Sequence, residues 1–192
     1  RSITLSAPST ITGATVFEIG PGPGGLTEAL LEAPLKRLIL AEKDDRFAAD
    51  WRARAETEPR LQVIQGDALE LDEEQVLRDL GETQPAIIIS NLPYNVGTPL
   101  LIKWLRAGAW RGPMTLMFQL EVAERICADP GTSAYGRLSV LAQSRAKPRL
   151  AMRVPAAAFT PPPKVESGVV QFENLPEADV FGLTDALETV TA

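Results

Sequence analysis

The sequence predicts an α/β fold with a doubly wound, mostly parallel sheet, and three observations lead to this prediction. Short apolar runs alternate with helix-like stretches over the first half of the 192-residue chain. This order is typical of parallel strands whose two faces are covered by helices. Several glycines directly follow the first apolar run. The 14 Gly and 16 Pro are scattered without a period, so the chain is neither collagen-like nor of low complexity.

Seven strands and a series of helices are predicted in order. The apolar runs predict strands at 15–19, 37–41, 61–65, 86–90, 115–118, 150–154 and 168–172. The stretches between them predict helices at 26–32, 44–57, 72–80, 100–107, 121–128 and 138–144. The composition changes beyond Pro176, where a further helix is expected at 181–190. We therefore expect one domain over residues 1–175, and a linker with the first helix of another domain over 176–192.

The chain contains no histidine and one cysteine, which excludes several chemistries. A Ser-His-Asp triad, a Cys-His pair, a histidine-bearing metal site and a disulfide framework all require residues that are absent. Catalysis is therefore expected to use carboxylates, amides, aromatic side chains or a cofactor, and no metal. No apolar stretch is long enough for a membrane span and no signal peptide opens the chain, so we expect a cytoplasmic location.

The net charge of −6 disfavours a nucleic-acid partner, but the charge is unevenly distributed. Residues 101–153 carry nine basic and three acidic side chains. This basic stretch is either a solvated face or a surface for phosphates, and the excess of positive charge in an acidic protein favours the second interpretation. The candidate RNA-binding side chains are Arg137, Arg145, Lys147, Arg149 and Arg153, together with Lys164 further along the chain.

A glycine-rich segment after the first predicted strand indicates a nucleotide-like cofactor. Gly20, Gly22 and Gly25 allow close backbone approach to a ligand, and the following helix begins with free N–H groups. A purely structural turn is the alternative, although three glycines exceed what a turn requires.

Acidic residues follow the second and third predicted strands. Glu42 stands 22 positions after Gly20, where a carboxylate can accept hydrogen bonds from two ribose hydroxyls. The alternative role of a charge at a helix entry suits Asp44 better, as an N-cap. Asp67 and the adjoining Ala68 end the third strand, where the carboxylate can accept from an adenine amine or can cap the loop.

The segment Ser90-Asn91-Leu92-Pro93-Tyr94 separates a methyltransferase from a nicotinamide oxidoreductase, which has no need of it. The lone pair of a planar exocyclic amine is delocalised into its ring. Oxygen atoms that accept both N–H bonds pull the nitrogen towards the tetrahedral geometry needed to attack a methyl group. Pro93 stiffens the turn that holds these oxygens, and Tyr94 supplies a flat face for an unstacked base.

With these residues assembled, the chain resembles the small-subunit ribosomal RNA adenine N6,N6-dimethyltransferases of the kasugamycin-resistance type. The resemblance covers about residues 10–175 and implies a Rossmann-like class I methyltransferase domain. The segments that carry it, in the order of the family, are Asn91-Leu92-Pro93-Tyr94, Glu121-Val122-Ala123-Glu124-Arg125, Tyr135-Gly136-Arg137-Leu138-Ser139-Val140 and Ala158-Phe159-Thr160-Pro161-Pro162-Pro163-Lys164-Val165.

The resemblance also implies the role of each site residue. S-adenosylmethionine would lie against Gly20 and Gly22, with Glu42 on its ribose, Asp67 and Ala68 at its adenine, and Asn91 near the transferred methyl. Asn91 and the Leu92 carbonyl would orient the target amine. Tyr94 and Phe159 would sandwich the target adenine, and the alternative from the residues alone is that Phe159 is a core residue and the proline run after it a rigid connector. The implied substrate is a pair of adjacent adenosines in the terminal hairpin loop of small-subunit RNA, each methylated twice.

The sequence departs from the family pattern in three places. The N-terminal motif that closes over the methionine end of the cofactor is missing, since Arg1-Ser2-Ile3-Thr4 starts after it. Most of the C-terminal helical domain is missing too, and Leu120 stands where a basic residue is expected.

The alternative functions are a macrolide-resistance methyltransferase of large-subunit RNA, and a non-catalytic relative that binds RNA or an assembling ribosome. The expected partner is a pre-30S particle, and the expected state is a monomer.

Overall fold

The computed structural model describes residues 11–159 and 162–176. Its strands are β1 (Thr15–Ile19), β2 (Arg37–Glu42), β3 (Leu61–Gln65), β4 (Ala86–Asn91), β5 (Arg111–Gln119), β6 (Ala146–Val154) and β7 (Ser167–Asn174). Its helices are α1 (Gly25–Leu31), α2 (Asp45–Ala55), α3 (Glu73–Asp79), α4 (Gly97–Leu105), α5 (Leu120–Ile126) and α6 (Arg137–Gln143). The helix predicted at 181–190 lies outside the described residues, and the domain boundary after residue 175 stays a prediction.

The strands form a seven-stranded sheet in the order β3-β2-β1-β4-β5-β7-β6. Strand β1 pairs in parallel with β2 and β4, and β2 pairs in parallel with β3. Strand β7 pairs antiparallel with β5 and β6. The predicted α/β class and the seven strands are therefore confirmed. The described chain divides into two compact units, one running from residue 11 to Val96 and including Ala107–Gly112, the other containing Gly97–Arg106 and continuing from Pro113.

The core of the first unit forms around β1, all of whose residues are buried. Parallel strands that are covered on both faces bury side chains on both, which explains why Val16, Phe17 and Ile19, the apolar residues that predicted this strand, are all buried. Helices α1 and α2 contribute the apolar face that packs on the sheet. The buried cluster contains Ile11, Val16, Leu30, Leu31, Leu35, Leu38, Leu40, Trp51, Leu61 and Ile89.

The second unit packs α5 closely against β7. Gly168 of β7 is buried, and a Cβ atom built on it would lie 2.6 Å from the Cβ of Ala123 and 3.1 Å from Leu150. The absence of a side chain at residue 168 thus permits the approach of the helix. On the same sheet, Phe118 of β5 packs against Phe172 of β7 edge to face, with ring centroids 6.5 Å apart.

Strand β6 starts at Ala146, earlier than the predicted residue 150. The first half of β6 was not predicted because it contains Lys147, Pro148 and Arg149, and charged residues and proline are depleted in strands. Strand β6 stands at one end of the strand order, and an edge strand tolerates both residue types, since one of its sides has no neighbouring strand to pair with. Within the described residues, no helix combines the length and apolar character needed to cross a bilayer.

We expect Gly168→Ala to lower the free energy of unfolding by about 1–3 kcal/mol, because the new methyl group overlaps Ala123 and the helix must shift to admit it. Urea denaturation measures this change. Gly108→Ala is the matched control, since a Cβ there meets no atom of the described chain within 4 Å and its effect should stay within about 0.5 kcal/mol. Equal stability of the two variants would contradict the close packing of α5.

Candidate active site

The residues predicted to bind a cofactor lie at the ends of four neighbouring parallel strands, all in the first unit. Strands β3, β2, β1 and β4 run in the same direction, so their carboxyl ends meet at one edge of the sheet. Strand β1 pairs with β2 on one side and β4 on the other, and ligands of open α/β sheets bind where the strand order reverses in this way. The segments at this edge are Gly20–Gly24, Glu42, Asp67 with Ala68, and Asn91–Tyr94.

The glycine loop between β1 and α1 has the backbone conformation for which glycine is needed. Gly20, Gly22 and Gly24 have φ angles of 63°, 52° and 87°, in the left-handed region that other residues rarely adopt. The N–H of Gly20 donates to the carbonyl of Ala41 at 2.9 Å, which attaches the loop to β2. Gly25, part of the predicted pattern, is the first residue of α1 and has no positive φ.

Glu42 ends β2 and contacts the glycine loop directly. Its Oε2 accepts the N–H of Gly22 at 3.0 Å, and its Oε1 accepts the N–H of Asp44 at 2.8 Å. Glu42 is buried. Asp44 caps α2 by accepting the N–H of Arg46 at 2.9 Å, which confirms the predicted N-cap. Glu42 therefore sets the position of the loop, and its role as a ribose ligand stays a prediction.

Asp67 lies beside Glu42 because the N–H of Gly66 donates to the Glu42 carbonyl at 2.9 Å. The Oδ1 of Asp67 accepts the N–H of Leu69 at 2.9 Å, and its Oδ2 accepts from the ammonium of Lys43 at 2.8 Å. The loop-capping role that the sequence left open is thus present. The role of Asp67 towards an adenine amine stays a prediction. Ala68 is buried next to it.

The Asn91–Tyr94 segment leaves the end of β4 next to the glycine loop. Ser90 donates its hydroxyl to the Ile19 carbonyl at 2.7 Å, which ties the end of β4 to the end of β1. The sequence alone assigned no role to Ser90, because this contact becomes visible only once β1 and β4 are known to be neighbours. A Cβ on Gly20 would lie 3.5 Å from Cγ of Pro93, so Pro93 packs over that glycine.

The same segment buries one side chain and exposes others. Leu92 is buried, whereas Asn91 and Tyr94 are exposed, Tyr94 by 42%. The Val96 N–H donates to the Pro93 carbonyl at 3.1 Å and closes the turn. An exposed ring within a turn closed by a hydrogen bond is suited to stacking on a base, the role predicted for Tyr94.

Phe159 belongs to the second unit, where it follows a short 3₁₀ turn at Ala156–Ala158 and is half-buried. Thr160 and Pro161 lie outside the described residues. The proposed sandwich of the target adenine by Tyr94 and Phe159 stays a prediction.

Two of the predicted RNA-binding side chains share one face of β6. Lys147 stands opposite Glu173 and Arg149 opposite Gln171 in the antiparallel pairing with β7. Cross-strand neighbours lie on the same face, and Glu173 and Gln171 are two residues apart, so Lys147 and Arg149 project together. Both are exposed, and Arg149 hydrogen-bonds Gln171.

Arg153 is on the opposite face. The register shifts between Leu150 and Met152, so that Arg153 stands opposite Gly168, at an even position of β7. Its guanidinium pairs with Glu124 of α5 at 2.7 Å. A β-bulge inserts an extra residue and reverses the alternation beyond it. The basic residues of β6 are therefore two separate groups.

The remaining basic candidates differ in exposure. Arg137 and Lys164 are exposed, the first at the start of α6 and the second before β7, whereas Arg145 is half-buried. Ser139, in the segment that follows Tyr135, accepts the Gly136 N–H at 3.1 Å and donates to the Arg125 carbonyl. This part of the family-like segment thus joins the end of α5 to the start of α6.

Glu18 is a buried acid that sequence reasoning overlooked. It lies within β1, is 2% exposed, and its Oε2 has no hydrogen-bond partner among the described residues. Burial raises the pKa of Glu18 to about 8, and the negative charge of Glu42 acts in the same direction. Its position, two residues before Gly20, is the only signal that the sequence carries. No group of three or more potential metal ligands occurs in the part of the chain that the structure describes.

We expect the stability of the protein to fall as the pH rises from about 4.5 to about 8, because folded Glu18 keeps a proton that the unfolded chain releases. This single group contributes at most about 1.4 kcal/mol per pH unit. Glu18→Gln cannot titrate, so its free energy of unfolding should rise relative to wild type between pH 5 and pH 9 in urea denaturation. Glu28→Gln, exposed on α1, is the control. A difference between Glu18→Gln and wild type that is independent of pH would contradict the raised pKa.

The family model for ribosomal RNA adenine dimethylase matches residues 5–181 of the chain. The ribosomal RNA small subunit methyltransferase A of Phenylobacterium zucineum is 54% identical over 181 residues, covering 94% of this chain and 61% of the relative. The same-named protein of Maricaulis maris is 53% identical over 178 residues, covering 92% of this chain and 61% of the relative. The chain therefore spans about three fifths of the length of these curated relatives.

Solved structures show the same relationship. A dimethyladenosine transferase from Plasmodium falciparum superposes with a TM-score of 0.79 at 29% identity, covering 95% of this chain and 63% of that one. The 23S rRNA methyltransferase ErmE has a TM-score of 0.74 at 26% identity, covering 93% of this chain and 68% of that one. These structures confirm the predicted class I methyltransferase fold. With the match over most of its length, the chain belongs to the ribosomal RNA adenine dimethylase family.

Proposed function

We propose that the full-length protein transfers methyl groups from S-adenosylmethionine to N6 of two adjacent adenosines in the 3′-terminal hairpin loop of small-subunit ribosomal RNA. The observation that carries this proposal is the Asn91–Tyr94 segment, held next to the glycine loop by the Ser90–Ile19 hydrogen bond and by Pro93 packing over Gly20. A cofactor at the glycine loop and an amine at Asn91 would then be neighbours.

The residues at the strand ends fit S-adenosylmethionine, the methyl donor of this family. The Glu42 carboxylate at the end of β2 would accept from the ribose hydroxyls, and Asp67 would accept from the adenine amine with Ala68 beside it. Gly20 and Gly22 lack side chains where the backbone must approach closely. The buried Oε2 of Glu18 has no hydrogen-bond partner among the described residues, and a cationic ligand near it would favour the ionised form of this carboxyl group. When bound, this cofactor supplies an electrophilic methyl group on a sulfonium, which is already a good leaving group.

The protein groups at Asn91 act on the target amine. In the first transfer, the Asn91 side chain and the Leu92 carbonyl would accept the two N–H bonds of adenine N6 and restore the lone pair of the nitrogen. In the second transfer, one N–H bond remains to be accepted. Tyr94 and Phe159 would stack on the unpaired base. Each transfer also releases one proton from N6, which would pass to solvent. Because the rate depends on position and charge placement, no histidine or other general base is required.

The RNA would contact exposed basic side chains of the second unit. Lys147 and Arg149 on one face of β6, with Arg137 and Lys164, are the exposed candidates, and Arg145 is less accessible. The alternative role of these charges is structural: they would keep β6, an edge strand, from pairing with strands of other molecules. Phosphate binding is favoured by the excess of basic residues in this part of an acidic chain.

The small subunit is favoured over the large subunit as the source of the substrate. Relatives named for the small subunit are 53–54% identical to this chain, whereas the 23S enzyme is 26% identical. We further propose that the protein acts on a pre-30S particle in the cytoplasm and is a monomer. A non-catalytic relative is disfavoured by the intact Asn91–Tyr94 segment.

The experiment that tests this function is the incorporation of labelled methyl groups into purified 30S and 50S particles by the full-length protein. We expect incorporation into 30S particles at adenine N6, and its loss in Asn91→Ala by a factor of at least about 100, because the amine loses an acceptor needed in the transition state. RNA binding, measured by filter retention, should change less than about twofold.

Each alternative has its own outcome in this experiment. Incorporation into 50S particles alone would favour the large-subunit enzyme, and full activity of Asn91→Ala would refute the role of that side chain. RNA binding without any methyl transfer by the wild type would indicate a non-catalytic relative. Calorimetry with S-adenosylmethionine and NADH side by side tests the cofactor, and binding of NADH alone would favour an oxidoreductase.

Reversing two charges on one face of β6 should weaken RNA binding and its dependence on salt. We expect Lys147→Glu/Arg149→Glu to lower RNA affinity at least tenfold at low salt and to reduce the slope of log affinity against log salt by about 2, one for each lost cation. Arg153→Gln is the matched control, because its side chain lies on the other face and pairs with Glu124. If Arg153→Gln weakens binding more than the double variant, the assignment of the face is wrong.

A further inference from the structure

Trp51 of α2 makes two contacts with the glycine loop. Its indole N–H donates to the Gly22 carbonyl at 3.0 Å. Its six-membered ring fills the space next to Gly24, where a Cβ atom would lie 2.1 Å from Cζ2 and 2.4 Å from Cη2. The side chain is only 7% exposed, so both contacts are shielded from water.

Gly22 is held on both sides by these neighbours. Its N–H donates to Glu42 at 3.0 Å, and its carbonyl accepts from Trp51 at 3.0 Å. The two bonds belong to the two successive peptide groups that flank its Cα, and together they restrain a residue with a φ of 52°. Fixing the backbone of a residue costs conformational entropy, and glycine has the most freedom to lose. A loop so rich in glycine needs such restraints to keep one conformation.

Packing by itself does not account for this geometry. Trp51 also belongs to the buried cluster of the first unit, and any apolar side chain of similar volume would serve there. Two features are specific to this pair of residues. The N–H that donates to the Gly22 carbonyl requires an indole at residue 51. The ring occupies the position of a Cβ at residue 24, which therefore requires a glycine.

We propose that Trp51 is a positioning residue for the cofactor loop. It acts through Gly22 and Gly24, keeping the loop in its binding conformation before the cofactor arrives. Affinity then depends on Trp51, because a loop ordered in advance loses less entropy on binding. This inference rests on the proposed function in one respect, namely that the loop binds S-adenosylmethionine.

The test compares Trp51→Phe with Trp110→Phe in the full-length protein. Phenylalanine keeps an aromatic ring and removes the N–H donor. Trp110 is the matched control, since it is an indole of the same unit that packs edge to face on Phe17 of β1. We expect Trp51→Phe to raise the dissociation constant of S-adenosylmethionine about five- to tenfold, the effect of one hydrogen bond, with Trp110→Phe within twofold of wild type.

Two further measurements distinguish positioning from a merely structural role. Amide hydrogen exchange at Gly22 and Gly24, without cofactor, should be faster in Trp51→Phe than in Trp110→Phe. At saturating cofactor, kcat for methyl transfer should stay within twofold of wild type while KM for S-adenosylmethionine rises.

A double-mutant cycle examines the ring contact. Gly24→Ala should weaken cofactor binding strongly in the wild type, because the new Cβ meets the indole and the φ of 87° is strained. Part of this loss should disappear in Trp51→Ala, where the ring is gone, and part should remain because of the backbone strain. The Trp51→Phe comparison stands by itself if the double variant does not fold.

The inference fails if Trp51→Phe binds S-adenosylmethionine as tightly as wild type, or if both indole variants lose affinity equally along with stability. Failure of the proposed function looks different, since the wild type itself would then bind no S-adenosylmethionine in calorimetry.

Discussion

Parallel pairing of β1 with β2 on one side and β4 on the other is the constraint on which the candidate site depends. This pairing brings the ends of three strands together, and short hydrogen bonds then join them. The Gly20 N–H donates to Ala41 at the end of β2, and the Ser90 hydroxyl donates to Ile19 at the end of β1. The glycine loop and the Asn91–Tyr94 segment are therefore both positioned by hydrogen bonds between the ends of these strands.

Two buried carboxyl groups near this edge of the sheet differ in their hydrogen bonds. Glu42 accepts two backbone N–H groups. Glu18 lies within β1, its Oε2 has no hydrogen-bond partner among the described residues, and burial raises its pKa to about 8. A cationic ligand near Glu18 would favour the ionised form of its carboxyl group.

The second unit shows how one irregularity in a strand changes a surface. Strict alternation along β6 would place Lys147, Arg149 and Arg153 on one face. The register shift after Leu150 instead directs Arg153 to α5, where it pairs with Glu124. A count of charges along the sequence does not reveal that these basic side chains lie on two faces of β6. The structure therefore narrows the proposed RNA surface of this strand to two side chains.

The sequence by itself determined the α/β class and the bounds of β1 and β3, because apolar runs report buried strands. It also proposed Gly20, Glu42 and Asp67 as cofactor residues, because ligand residues of such sheets follow the strand ends directly, and that role stays a prediction. Only the tertiary structure decided how the candidates are held. The contacts of Trp51 with Gly22 and of Ser90 with Ile19 join residues 29 and 71 positions apart. Such contacts depend on which strands are neighbours and on which side of α2 faces the loop, and local sequence patterns carry no information about either.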